Sequence, residues 1–146
     1  MDSLRLLLLT HLIGLALALG AATAKVVLLL KWSKDPAVWP VYRVASRPLT
    51  RQIVLGMAVL TLSGAGWLIL GYHVTSTLTV KLILVGALWT LGPYIDKVVE
   101  PRIEKLAPAP GAAPSIDSLQ AQRHYLRVEM TATGLLYGIV VLWVLG

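Results

Sequence analysis

Cysteine is absent from the 146 residues, which excludes disulfides, thiolate metal sites, iron–sulfur clusters, thiol catalysis and covalent c-type haem attachment together. Familiar catalytic patterns are missing as well: there is no Gly-x-Ser-x-Gly elbow, no phosphate-binding glycine loop, no His-Glu-x-x-His zinc helix and no carboxylate pair of hydrolase type. Acidic residues are few, seven against thirteen Lys and Arg, for a formal net charge of +6. In a soluble chain that surplus would point to nucleic acid. Here only 14% of residues are charged, 57% are hydrophobic and the mean hydropathy is +0.76, so the basic residues are assigned to anionic lipid head groups, and nucleic acid is set aside.

What remains is apolar runs of membrane length. Crossing a hydrocarbon core of roughly 30 Å takes about 20 residues of helix, and four runs qualify: Leu4–Leu30, Ile53–Tyr72, Leu78–Ile95 and Val128–Leu145. They are continuously apolar rather than alternating, which favours helices over barrel strands. The expected fold is all-α: one transmembrane domain over 1–146, a four-helix bundle with basic loops at 31–52 and 96–127. The first run imitates a signal peptide, with Arg5, a Leu-rich stretch and "GAATA", but continues as "VVLLLK" beyond the small residues.

Charge sorts the connections. Lys31, Lys34, Arg43, Arg47 and Arg51 lie between the first two runs, and Lys97, Arg102, Lys105, Arg123 and Arg127 between the last two, while "HVTST" has no Lys or Arg. By the positive-inside rule both basic loops are cytoplasmic and both termini face outward. Trp32 and Trp39 then fall at the inner boundary, and Trp67, Tyr72, Tyr137 and Trp143 toward the outer one, as in aromatic belts. "SKDPAVWPVYR" reads as a short surface segment, "APAPGAAPSID" as an extended connection, and "SIDSLQAQRHYLRVE" as an amphipathic lead-in to the fourth helix. Ala16, Gly20 and Ala24 on the first helix, and Gly134 and Gly138 on the fourth, form small-residue stripes expected to meet. "SGAGW" reads as close helix packing, ahead of room for a flat ligand close to the backbone, and Gly92–Pro93 should kink or end the regular part of the third helix.

Ionisable groups inside the apolar runs are expensive and therefore informative. Lys25 stands six residues before Lys31, about 9 Å along a helix, and is expected to snorkel to the head groups or to form an ion pair or ligand contact. Lys81 is close enough to the other boundary to do the same. His11 is too short to snorkel, so it either makes an interhelical hydrogen bond or serves as a haem ligand, metal ligand or proton-handling group. Because the helices alternate in direction, His11, His73 and Lys81 fall in one leaflet. His124 reads as an interfacial surface residue, and Asp96 and Glu129 as partners of Arg127, Lys97 or Arg102.

With His11 in "THLIGLALALGAA" and Lys81 in "LTVKLILVGALW", the chain resembles the small four-helix bacterial membrane proteins of the copper-resistance D-type and HemJ-type protoporphyrinogen oxidase group. The run "LGMAVLTLSGAGWLI" is similar to the Leu/Ser-Gly helix of related integral membrane proteins. The resemblance implies haem b, or less readily copper, held in a bacterial cytoplasmic membrane. Only His11 and Lys81 carry over as functional positions. The leading expectation is thus a multi-pass inner-membrane protein binding haem or copper through His11, with His73 as second ligand or gate and Lys81 as anion partner. Two alternatives stand beside it: an accessory or assembly subunit, working as a homo-oligomer or within a larger membrane complex, and a small transporter component.

Overall fold

The computed structural model describes residues 3–71, 73–109 and 112–145, and these are helical apart from short connections. Helix α1 runs Ser3–Lys34, and α2 runs Trp39–Ile69 after a single 3-10 turn at Pro36–Val38. Helix α3 (Ser76–Tyr94) passes through a π turn (Ile95–Val99) into α4 (Glu100–Leu106), and α5 (Ile116–Leu145) closes the chain. Four helical stretches are long and apolar enough to cross a membrane, Ser3–Lys34, Pro36–Ile69, Ser76–Leu106 and Ile116–Val144. The chain is a multi-pass membrane protein.

Local chemistry explains the breaks. Asp35 Oδ1 accepts from the Ala37 N–H at 2.9 Å and starts the 3-10 turn, while Pro40 takes an early helical position where its missing N–H costs nothing. Gly71, at φ +90°, ends α2 in the left-handed conformation that glycine adopts without strain. Thr75 Oγ1 then caps α3 through the Leu78 N–H at 3.2 Å. Ser115 Oγ does the same for α5 through the Ser118 N–H at 3.1 Å.

The helices extend well past the apolar runs. Most of 31–52, expected as loop, is the end of α1 and the start of α2, and much of 96–127 is the π turn, α4 and the start of α5. The amphipathic lead-in is therefore continuous with the fourth spanning helix. Hydropathy found the lipid-facing lengths but not these ends, because a helix remains helical where its surface turns polar. The regular α-helix ends at Tyr94, just after Gly92–Pro93, as expected there; the chain stays helical through the π turn, which adds a residue and shifts the register before Glu100. Tyr72, expected in the outer belt, lies outside the described residues.

Packing also differs from the expected small-residue contact. Gly20, Gly134 and Gly138 face open space, and the close approach is between α1 and α2. A Cβ on Gly56 would lie 2.6 Å from Ala18 N and 2.7 Å from Gly14 O, so the two backbones touch there. Gly66 is tight against Leu7, a Cβ there meeting Leu7 Cδ2 at 2.9 Å, whereas Gly64 is open. Helix α1 also contacts α5, and α5 contacts α3 and α4, but α2 and α3 make no extended contact. The order around the bundle is α2, α1, α5, α3, with a gap between the last and the first. Two apolar cores result. One, at the basic end, centres on Leu29, Trp32, Tyr42, Val99 and Tyr125, and the other joins Ala18, Met57, Leu88 and Leu136 farther along the bundle.

Candidate functional site

Four elements bring polar side chains together in the basic half of the bundle. On α1 the buried positions Ala18, Ala22, Lys25, Leu29 and Trp32 follow helical spacing, so Lys25 shares the inward face with residues that pack. On α5 the same rule aligns Tyr125, Glu129 and Thr133. On α2 it aligns Tyr42, Ser46 and Thr50. The π turn and α4 deliver Glu100.

Lys25 is only 2% exposed, so it does not snorkel; the ammonium turns into the bundle. Its three N–H groups meet three acceptors: Glu129 Oε1 at 2.6 Å, Glu100 Oε1 at 2.7 Å and Thr50 Oγ1 at 3.1 Å. Glu100 Oε1 accepts in addition from Tyr125 Oη at 2.5 Å and Ser46 Oγ at 2.9 Å. Since Tyr125 donates to Glu100, its oxygen is left to accept from Tyr42 Oη. The result is a connected polar chain from Tyr42 through Tyr125, Glu100 and Lys25 to Glu129, roofed by the rings of Trp32 and Trp39 against Tyr42. Glu129 Oε1 has no donor beyond the Lys25 ammonium. The expected pairing of Glu129 with Arg127, Lys97 or Arg102 is thus replaced by one with Lys25. Asp96 is exposed and forms no ion pair among the described residues. Trp32, expected at the lipid boundary, is 7% exposed and belongs to the core.

The chain of polar groups separates two cavities. One, of about 30 Å³, reaches Tyr42, Ser46, Glu100 and Tyr125 from a rim that includes Arg43 and Arg47. The other, of about 270 Å³, lies in the gap between α2 and α3. Its walls are mostly apolar, with Met57, Leu88, Trp89 and Leu136 among them, and its polar groups include Lys25, Thr50, Glu129 and Thr133. A hydrogen bond from Trp89 Nε1 to Thr61 Oγ1 at 3.0 Å links α3 to α2 beside this cleft. The cleft's volume lies just below the roughly 300–1,000 Å³ of ligand pockets, and its lining, apolar with a few polar groups, follows their pattern.

The residues singled out in the sequence fall elsewhere. His11 Nδ1 is 2.8 Å from Ser63 Oγ, and the Ser63 hydroxyl already has the Val59 carbonyl at 2.7 Å to donate to. The ring therefore donates Nδ1–H to Ser63, and Nε2 keeps its lone pair. This is the interhelical hydrogen bond foreseen as one alternative for His11. Lys81, half-buried on α3, acts electrostatically on that ring. His73 is exposed in the connection before α3 and shares no hydrogen bond or ring contact with His11. Neither of these two cavities is lined by His11, His73 or Lys81, and among the described residues no three His, Asp or Glu converge as a metal-ligand group. His124 is exposed as expected, with Tyr94 Oη 3.4 Å from its Nε2.

The sequence reading treated Lys25 and Glu129 one at a time and passed over Glu100, whereas the signal was register: hydroxyl residues four apart on α2, and Tyr125, Glu129 and Thr133 four apart on α5. No family model matches the chain, and neither a curated protein nor a solved structure proves similar to it.

Proposed function

We propose that the chain is a ligand-binding protein of the bacterial cytoplasmic membrane, with its basic ends inside and both termini outside, that takes up a lipid-soluble molecule in the cleft between α2 and α3. The orientation rests on the ten basic residues gathered at one end. The binding reading rests on one observation. A cavity of about 270 Å³ with apolar walls and a buried polar end lies where the ring of helices is not closed by packing. In a spanning bundle that opening faces the bilayer, so an apolar molecule can enter without crossing water. Photolabelling in nanodiscs with a diazirine-bearing alkyl probe tests the reading. Cross-links should concentrate on Met57, Leu88 and Leu136 and fall several-fold in Ala132→Phe, which fills the cleft; labelling spread evenly over lipid-facing residues and indifferent to that substitution would refute it.

A second reading, haem b or copper held by His11, is favoured by the lone pair left on Nε2. A Soret band or bound copper in the purified protein, lost in His11→Ala, tests it, and a colourless, metal-free wild type removes it.

A further inference from the structure

At the buried end of the cleft the only cation among the described residues, Lys25, is fully engaged, and the other donors there are the hydroxyls of Thr50 and Thr133, with Lys97 at the exposed wall. All three Lys25 N–H groups are already engaged, by Glu129, Glu100 and Thr50, so the ammonium has none to spare for an entering anion. Glu129, by contrast, receives nothing at Oε1 except from that ammonium. One turn farther along α5, Thr133 is 8% exposed, lines the same cleft, and its Oγ1 has no hydrogen-bond partner. That departs from the habit of this chain, in which Thr10, Thr23, Thr61 and Thr131 each donate to the carbonyl four residues back. A buried hydroxyl left unpaired is costly unless something else meets it.

Charge points the same way. The buried cluster sets one ammonium against two carboxylates, a formal excess of one negative charge among Lys25, Glu100 and Glu129. At the cleft wall Asp96 and Lys97 offset one another, so nothing there cancels the excess.

We infer that the cleft binds a protonated lipophilic amine, its N–H groups directed to Glu129 and Thr133 and its apolar body lying along Met57, Leu88 and Trp89. An anion would find the Lys25 donors taken, and a neutral alcohol would satisfy the hydroxyl but leave the excess charge uncompensated. Trp89 adds an aromatic wall, a surface to which cations are drawn. The inference rests on the cleft being the binding site, and the test separates the two.

Binding of dodecylamine, dodecyltrimethylammonium and 1-dodecanol to the full chain in zwitterionic nanodiscs, against empty nanodiscs, is the experiment. Dodecylamine should bind at least tenfold more tightly than dodecanol, and Glu129→Gln should abolish that preference. Thr133→Val, which keeps the shape and leaves the ion cluster intact, should weaken dodecylamine three- to tenfold. It should leave dodecyltrimethylammonium, which has no N–H, unchanged. Equal binding of amine and alcohol would overturn the amine assignment while leaving the cleft as a site for apolar molecules. An amine affinity untouched by Thr133→Val and Glu129→Gln alike would overturn it too, and failure of all three probes would bring down the cleft reading with it.

Discussion

Replacing Lys25 with methionine keeps the length of the side chain and deletes the cation among the buried groups, so it isolates what the ion cluster contributes. The contacts to Glu129 at 2.6 Å and Glu100 at 2.7 Å are charge-assisted, each worth about 1.5–3 kcal/mol, with about 1 kcal/mol for the neutral acceptor Thr50. The two carboxylates do not lose equally. Glu100 keeps the Tyr125 and Ser46 donors and has a side chain 20% exposed, whereas Glu129, at 5%, keeps none. Most of the cost therefore falls on Glu129, and the whole should reach about 3–5 kcal/mol, the range for stripping a partner from a buried pair. Removing the stranded carboxylate as well, in Lys25→Met with Glu129→Leu, should recover about half of that, because an apolar pair in the same space carries no desolvation penalty. Reversible unfolding in mixed micelles, titrated with a denaturing detergent, reads Lys25→Met, Glu129→Leu and the double variant against the wild type. A single variant within about 1 kcal/mol of wild type, or a double variant whose cost is the plain sum of the singles, would refute the reasoning.

Two further expectations use the same titration. Gly56→Ala should destabilise by about 1–3 kcal/mol, because the new Cβ meets the α1 backbone at 2.6 Å and 2.7 Å, while Gly138→Ala, facing open space, should be neutral. Tyr125→Phe removes the hydroxyl that joins Tyr42 to Glu100 and should cost about 1–3 kcal/mol, more than Tyr42→Phe, which removes only the outermost member of the chain.

The four spanning helices were legible because lipid demands a continuous apolar length, and composition alone reveals that. The site was less so. Lys25 looked able to snorkel because depth along the helix was all the sequence measured; direction around the helix decides, and Ala18, Ala22, Leu29 and Trp32 fix Lys25 on the packed face. Glu129 has Arg127 nearby in sequence, but positions two apart on a helix do not face one another. Glu100 could not be aligned with either, since its facing depends on a π turn that hydropathy does not register. For His11 the sequence held open both a hydrogen bond and a ligand role, and the Ser63 contact was hidden by a separation of 52 residues.

The cleft and the ion cluster share one cause. From Ile95 onward the third spanning stretch buries a residue every fourth position, Ile95, Val99 and Ile103, against α5 and the aromatic core. Before it, α3 buries only Leu88 among the described residues. Pro93, lacking an N–H, and the π turn after it stand where this change occurs. Breaking the ion cluster of the basic half would strand a buried charge at a cost of several kcal/mol, while across the gap beside α3 the described residues place the hydrogen bond from Trp89 to Thr61, worth about 0.5–1.5 kcal/mol. Before the π turn α3 is therefore held through its α5 side, by Leu88 against Leu136, and only lightly on its α2 side. On the proposed reading, a ligand entering from the bilayer would part α3 from α2 and meet a polar end held in place by the ion cluster.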